Sequence, residues 1–170
     1  MAGKTMIVDG YNVIHCSRSI ENALMAGLQS ARDCLLRMCA GWLRNRNDVE
    51  LFRVVFDGDS SVIGRDNLPP PGVRVEYTRS GETADERIVS ILSRHETPRC
   101  CVVVTDDREL ARGCRGLGVD IMSVIEFNRV YASTNLRRRT TNIVERDKSA
   151  LTLEEMESIN ADLRKEWGLD

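Results

Sequence analysis

CCVVVTDDREL, residues 100–110, sets five apolar residues in unbroken succession before two aspartates. A strand without polar alternation has both faces covered, which is the state of a central strand in a parallel sheet. Two other segments read the same way and also stop on aspartate: KTMIVD at 4–9 and ELFRVVFD at 50–57. VRVEY at 73–77 alternates, as a strand with one wet face does, and VDIM at 119–122 makes another short strand. Between the strands lie helical patterns. From Ser19, apolar residues recur at Leu24, Leu28, Ala31, Leu35, Met38 and Trp42, which predicts one long amphipathic helix. Thr83 and Glu86 form a capping box ahead of Ile88, Val89, Ile91 and Leu92. A further helix is expected from about Asp107 to Leu117, and Ser123 caps another short one. Strands that alternate with helices predict an α/β domain with a mostly parallel sheet and helices on both faces.

The totals narrow the class. The chain has 170 residues, 42% hydrophobic and 29% charged, with a formal net charge of −2. That is an ordinary globular composition, and the charge speaks against a general polyanion binder. Six cysteines (Cys16, Cys34, Cys39, Cys100, Cys101 and Cys114) include no CxxC pair, and His15 and His95 have no ligand-like spacing with them. Zinc is disfavoured, and free thiols in a reducing cytoplasm are the expectation. No apolar run is long enough to span a membrane and no signal-peptide h-region opens the sequence. There is no GxxxxGK[ST] loop, which disfavours an NTPase, and DGYN lacks the second aspartate of a DxD phosphatase loop.

Asp9, Asp57, Asp106 and Asp107 all follow strand C-termini, the edge where open α/β sheets bind ligands. Glu82 and Asp85 join them at the start of the helix that Thr83 opens, three residues apart and able to share a face. Crowded carboxylates without a neighbouring cation, all oxygen donors with Asn12 nearby, match the ligand set of Mg²⁺ or Mn²⁺. Such a site suits metal-assisted phosphodiester hydrolysis. Each residue also has a plainer reading. Asp9-Gly10 and Asp57-Gly58 fit simple turns. Asp106, with Glu109 three residues on, fits a helix cap, and Asp85 and Glu82 fit N-terminal dipole complements. Tyr11 fits a packing residue, and Arg137–Arg139 a solvated linker.

Four ordered segments, MIVDGYNVI, VVFDG, RSGETADERI and VVVTDDREL, together resemble the NYN domain of the YacP-like group, within the PIN-like nuclease superfamily. The resemblance runs from about residue 5 to about residue 130. It implies a PIN-like three-layer α/β/α fold, a divalent-metal site, RNA as substrate class and endonucleolytic hydrolysis. Residue by residue, Asp9 matches the first metal-binding aspartate, Asn12 its polar neighbour, and Asp85 a further acidic position with Glu82 beside it. The family's Thr-Ser-Asp or Thr-Asn-Asp triplet is Thr105-Asp106-Asp107 here, so its aspartate falls on Asp107 and Asp106 replaces a small polar residue.

The expectation is therefore a metal-dependent endoribonuclease in residues 1–134, with a basic linker and a helix packed on the domain in 135–170. Asp9, Asp85 and Asp107 would hold the Mg²⁺ or Mn²⁺, with Asp106 and Asp57 as further candidate ligands. Glu82, Asp57 and Asp106 would complete the pocket or orient the attacking water, Asn12 would position a carboxylate or a metal-bound water, and Arg79 would reach a phosphate. The low net charge predicts weak binding to free RNA and a partner, the ribosome foremost, that presents the strand. The loop at 58–72, with Arg65 and Pro69–Pro71, and the basic linker would dock it. The alternative is an RNA- or ribosome-binding module with a non-catalytic acidic site.

Overall fold

The computed structural model describes residues 3–44, 46–58 and 68–133. Expectations for Arg65, Arg137–Arg139 and the segment 135–170 lie outside the described residues.

Five parallel strands form one sheet: β1 (Lys4–Asp9), β2 (Val49–Phe56), β3 (Val73–Tyr77), β4 (Cys101–Val104) and β5 (Asp120–Met122). Their order is β3-β2-β1-β4-β5. The chain builds outward from β1 to β3, then returns to lay β4 on the other side of β1. The helices are α1 (Gly10–Cys16), α2 (Glu21–Met25), α3 (Leu28–Arg44), α4 (Ala84–Ser93) and α5 (Arg108–Gly116); residues 124–133 are helical and are called α6.

The period of two along each strand divides the core into two. Met6, Val8, Val54, Val102 and Val104 face a cluster completed by α1, α3 and α6, with Ile14, Leu35, Trp42 and Phe127 fully buried in it. Ile7, Val55, Cys101 and Val103 face the opposite cluster, filled by Ile88 and Leu92 of α4 and by Leu110 and Cys114 of α5. This is the three-layer α/β/α arrangement, and the unbroken apolar run at 101–104 is buried along its whole length.

Three local expectations change. The long helix expected from Ser19 is two helices, because Gly27 stands at φ +128°, outside the helical region, and Leu28 is left exposed. Asp9-Gly10 is not a turn: β1 runs directly into α1. Cys100 belongs to a 3-10 turn (Pro98–Cys100), not to β4.

Candidate functional site at a sheet switch point

Between β1 and β4 the strand order reverses, so the segments that leave them part company. α1 departs to one face, burying Val13 and Ile14, and α5 to the other, burying Leu110 and Cys114. A crevice opens at such a point because no helix crosses it. Asp9 closes β1 on one side of it, and Thr105, Asp106 and Asp107 follow β4 on the other.

A chain of hydrogen bonds spans the crevice. Asp9 caps α1 by accepting the Asn12 backbone N–H at 3.4 Å, and its other oxygen accepts the Thr105 hydroxyl at 3.3 Å. Thr105 Oγ1 in turn accepts the Asp107 N–H at 3.0 Å. Asn12 Oδ1 accepts the Asp106 N–H at 2.8 Å. Gly10 permits the tight start of α1: a Cβ there would sit 2.3 Å from the Phe56 ring and 2.8 Å from the Val55 carbonyl. Tyr11 packs its ring on Phe56, and its hydroxyl accepts hydrogen bonds from the buried Arg32.

The carboxylates feel one another. Burial pushes Asp9 up from 3.8 to about 6, with Asp85 and Asp107 adding to the rise against the lowering hydrogen bonds from Asn12 and Thr105. Burial also raises Asp85, followed by repulsion from Asp107, Asp57, Glu109 and Glu86. None of Asp9, Asp85 and Asp107 forms an ion pair with a described residue. Carboxylate oxygens that repel one another without an ion-pair partner among the described residues suit a hard divalent ion in donor chemistry. Among the described residues, however, no three His, Cys, Asp or Glu side chains are arranged to hold one ion together.

The family model of the YacP-like NYN domain matches residues 6–167. This chain belongs to the YacP-like NYN domain family. The crystal structure of Rae1 (YacP) from Bacillus subtilis is similar, with a TM-score of 0.67 and 24% identity, over 99% of this chain and 96% of that one. A tryptophan-to-leucine mutant of the same protein gives 0.65 at 25% identity, over 90% and 89%. Among curated proteins there is no match. The family puts the chain with nuclease-like, RNA-acting domains. None of the helices described is long and apolar enough to cross a membrane.

In this NYN domain the acidic residues divide into two sorts. Asp9, Asp85 and Asp107 lie close enough that Asp85 and Asp107 raise Asp9 and Asp107 raises Asp85. Asp57, exposed at the end of β2, accepts the Ala84 N–H at 2.7 Å and the Thr78 hydroxyl at 3.3 Å, so it fastens the start of α4. The helix cap expected at Asp106 belongs to Asp107, whose Oδ1 accepts the Glu109 and Leu110 N–H groups at 2.8 and 2.9 Å. Asp106 instead accepts the Val124 N–H at 3.0 Å and ties the crevice to α6. The expected caps at Thr83–Glu86 and Ser123 are both present.

Glu82 has partners of its own, apart from those of Asp85. It accepts the Arg79 backbone N–H at 3.3 Å and lies 3.9 Å from Arg87, which is held at 2.9 Å by Glu76. Arg53 also binds Glu76, so one carboxylate holds both arginines. The Arg79 side chain is exposed. The sequence reading missed two participants. Thr105 links Asp9 to Asp107, and its signal was a hydroxyl at the end of an otherwise apolar strand. Glu109 adds to the charge around Asp85, whereas its spacing from Asp106 suggests only a capping box.

Proposed function

We propose that this domain is a metal-dependent endoribonuclease that hydrolyses RNA phosphodiester bonds in the crevice between β1 and β4. The observation that carries this reading is that burial and neighbouring carboxylates, Asp107 among them, raise both Asp9 and Asp85, while none of the three has an ion-pair partner among the described residues. Asp9, Asp85 and Asp107 would hold Mg²⁺ or Mn²⁺. A bound divalent cation supplies a polarised phosphoryl oxygen and an acidified water. The chain's own part is positioning. Thr105 fixes one oxygen of Asp9 and the backbone of Asp107. Asn12 holds the Asp106 backbone, and Asp57 sets the start of α4 and with it Asp85. Glu82 shapes the turn that carries Arg79 toward a phosphate. The net charge of −2 supports a partner that presents the strand, the ribosome foremost.

A second reading is an RNA- or ribosome-binding module with a non-catalytic acidic site. It is favoured by the lack of any three-donor arrangement among the described residues. Incubation of a labelled mRNA with purified protein at physiological salt, in Mn²⁺ or EDTA and with or without translating ribosomes, separates the two. The nuclease reading expects Mn²⁺-dependent cutting that Asp107→Asn abolishes and Asp106→Asn largely retains. RNA binding without cutting under every condition assigns the second reading.

A further inference from the structure

We propose that the RNA strand leaves the acidic crevice along the cleft between α5 and α6, with Arg108, Arg112 and Arg115 holding its phosphates. The inference rests on the reading that RNA is the substrate at the crevice, and adds the surface that grips it.

Three independent observations carry it. The first is shape: a cleft of about 560 Å³ lies between α5 and the start of α6, with Ile121 of β5 in its lining. The second is continuity. Thr105, Asp106 and Asp107 line the same cleft, so it adjoins the crevice along the segment that follows β4. The third is charge. Arg108, Arg112 and Arg115 are spaced four and three apart, which puts them on one side of α5, while Leu110 and Cys114 turn to the core. All three arginines are exposed, line the cleft and form no ion pair with a described residue. At 1.5 Å of rise per residue the row spans about 10 Å, leading away from Asp107.

This row is the basic surface that the net charge conceals. Arg53 and Arg87 are taken up by Glu76, and Arg46 by Asp48. The arginines of α5 have no such acid, and Glu126, on the other wall, makes no ion pair with them. The occupant must therefore carry anionic groups at intervals along the row. It must also place a reacting group among carboxylates that repel anions. An acidic peptide meets the first demand and has no reason to continue into the crevice. A single nucleic-acid strand meets both, because its phosphates repeat and one of them is the group to be cut.

The test is fluorescence anisotropy of a fluorescein-labelled 20-nucleotide single-stranded RNA with the full chain in EDTA, from 50 to 300 mM KCl. Three phosphate contacts contribute about 2 to the slope of log affinity against log salt. The triple variant Arg108→Gln, Arg112→Gln, Arg115→Gln is expected to lose that amount and to bind about tenfold or more weakly at 100 mM. Arg108→Lys, Arg112→Lys, Arg115→Lys keeps the charge and should keep the slope, which separates charge loss from misfolding. Arg94→Gln, at the far end of α4, should change neither value. A triple Gln variant with the wild-type slope and affinity overturns the proposal, as does a wild-type protein whose RNA binding ignores salt. Loss of ribosome co-sedimentation with RNA affinity intact would assign the cleft to ribosome docking and also overturns it. The underlying reading fails separately: a wild type that never cuts RNA, while the Gln variant loses binding as expected, keeps the path and removes the nuclease.

Discussion

Replacing Asp9 by asparagine should make the metal-free protein more stable at neutral pH. Asp9 is only 7% exposed, and its folded-state pKa stands at about 6 against an ordinary 3.8. A raised carboxyl pKa means that the folded protein holds the proton more tightly than the unfolded chain does. The protonated form is therefore favoured by folding below about pH 4. That advantage is lost as the pH rises through about 6, where the buried charge must form. The gap between 3.8 and about 6 corresponds to about 3 kcal/mol of folding free energy lost by pH 7. Asparagine never ionises and escapes this loss. It can still cap α1, but its amide nitrogen would face the Thr105 hydroxyl, which already accepts from Asp107. Setting about 1–2 kcal/mol against that poorer pairing leaves a net gain of about 1–2 kcal/mol at pH 7.5. In a chain of this size that is about 2–8 °C in Tm. Urea unfolding in EDTA at pH 4 and pH 7.5 checks it: the variant should gain on the wild type as the pH rises. A difference between the two proteins that is independent of pH, or that grows toward acid, would refute the account of Asp9. The same variant should lose all cleavage, since the carboxylate that costs stability is the one assigned to the ion.

Gly10→Ala should destabilise by about 1–3 kcal/mol, because its Cβ overlaps the Phe56 ring and the Val55 carbonyl; an unchanged melting temperature would mean that the start of α1 can shift at no cost. Thr105→Val keeps the shape but removes the hydroxyl that joins Asp9 to Asp107. It should cost about 1–3 kcal/mol and raise the Asp9 pKa further, read by carboxyl NMR titration; a downward or absent shift would show that Thr105 does not stabilise the Asp9 charge.

Much of this domain is legible in its sequence, because the features concerned are local. β1, β2 and β4 appear as apolar runs since each is buried on both faces. The Thr83–Glu86 box announces α4 with groups only three residues apart. The four acidic segments are visible because each follows a strand end, and chain direction in a parallel sheet puts those ends on one edge. What the sequence left open turns on contacts between distant segments. Asp106 and Asp107 offer the same side chain to α5, and the capping-box pattern favoured Asp106. The cap falls to Asp107 because the Asp106 N–H is drawn to Asn12, and its carboxylate to Val124, 18 residues further on. Glu82 lies three residues from Asp85, but Arg87 and the Arg79 N–H turn it to a different network. The arginines of α5 look like a solvated helix face until α6 and β5 make them one wall of a cleft. Above all, nothing local places β4 beside β1. That order comes from burying two apolar faces of one sheet at once, and it brings Asp9 and Asp107, 98 positions apart in the chain, to the two sides of one crevice.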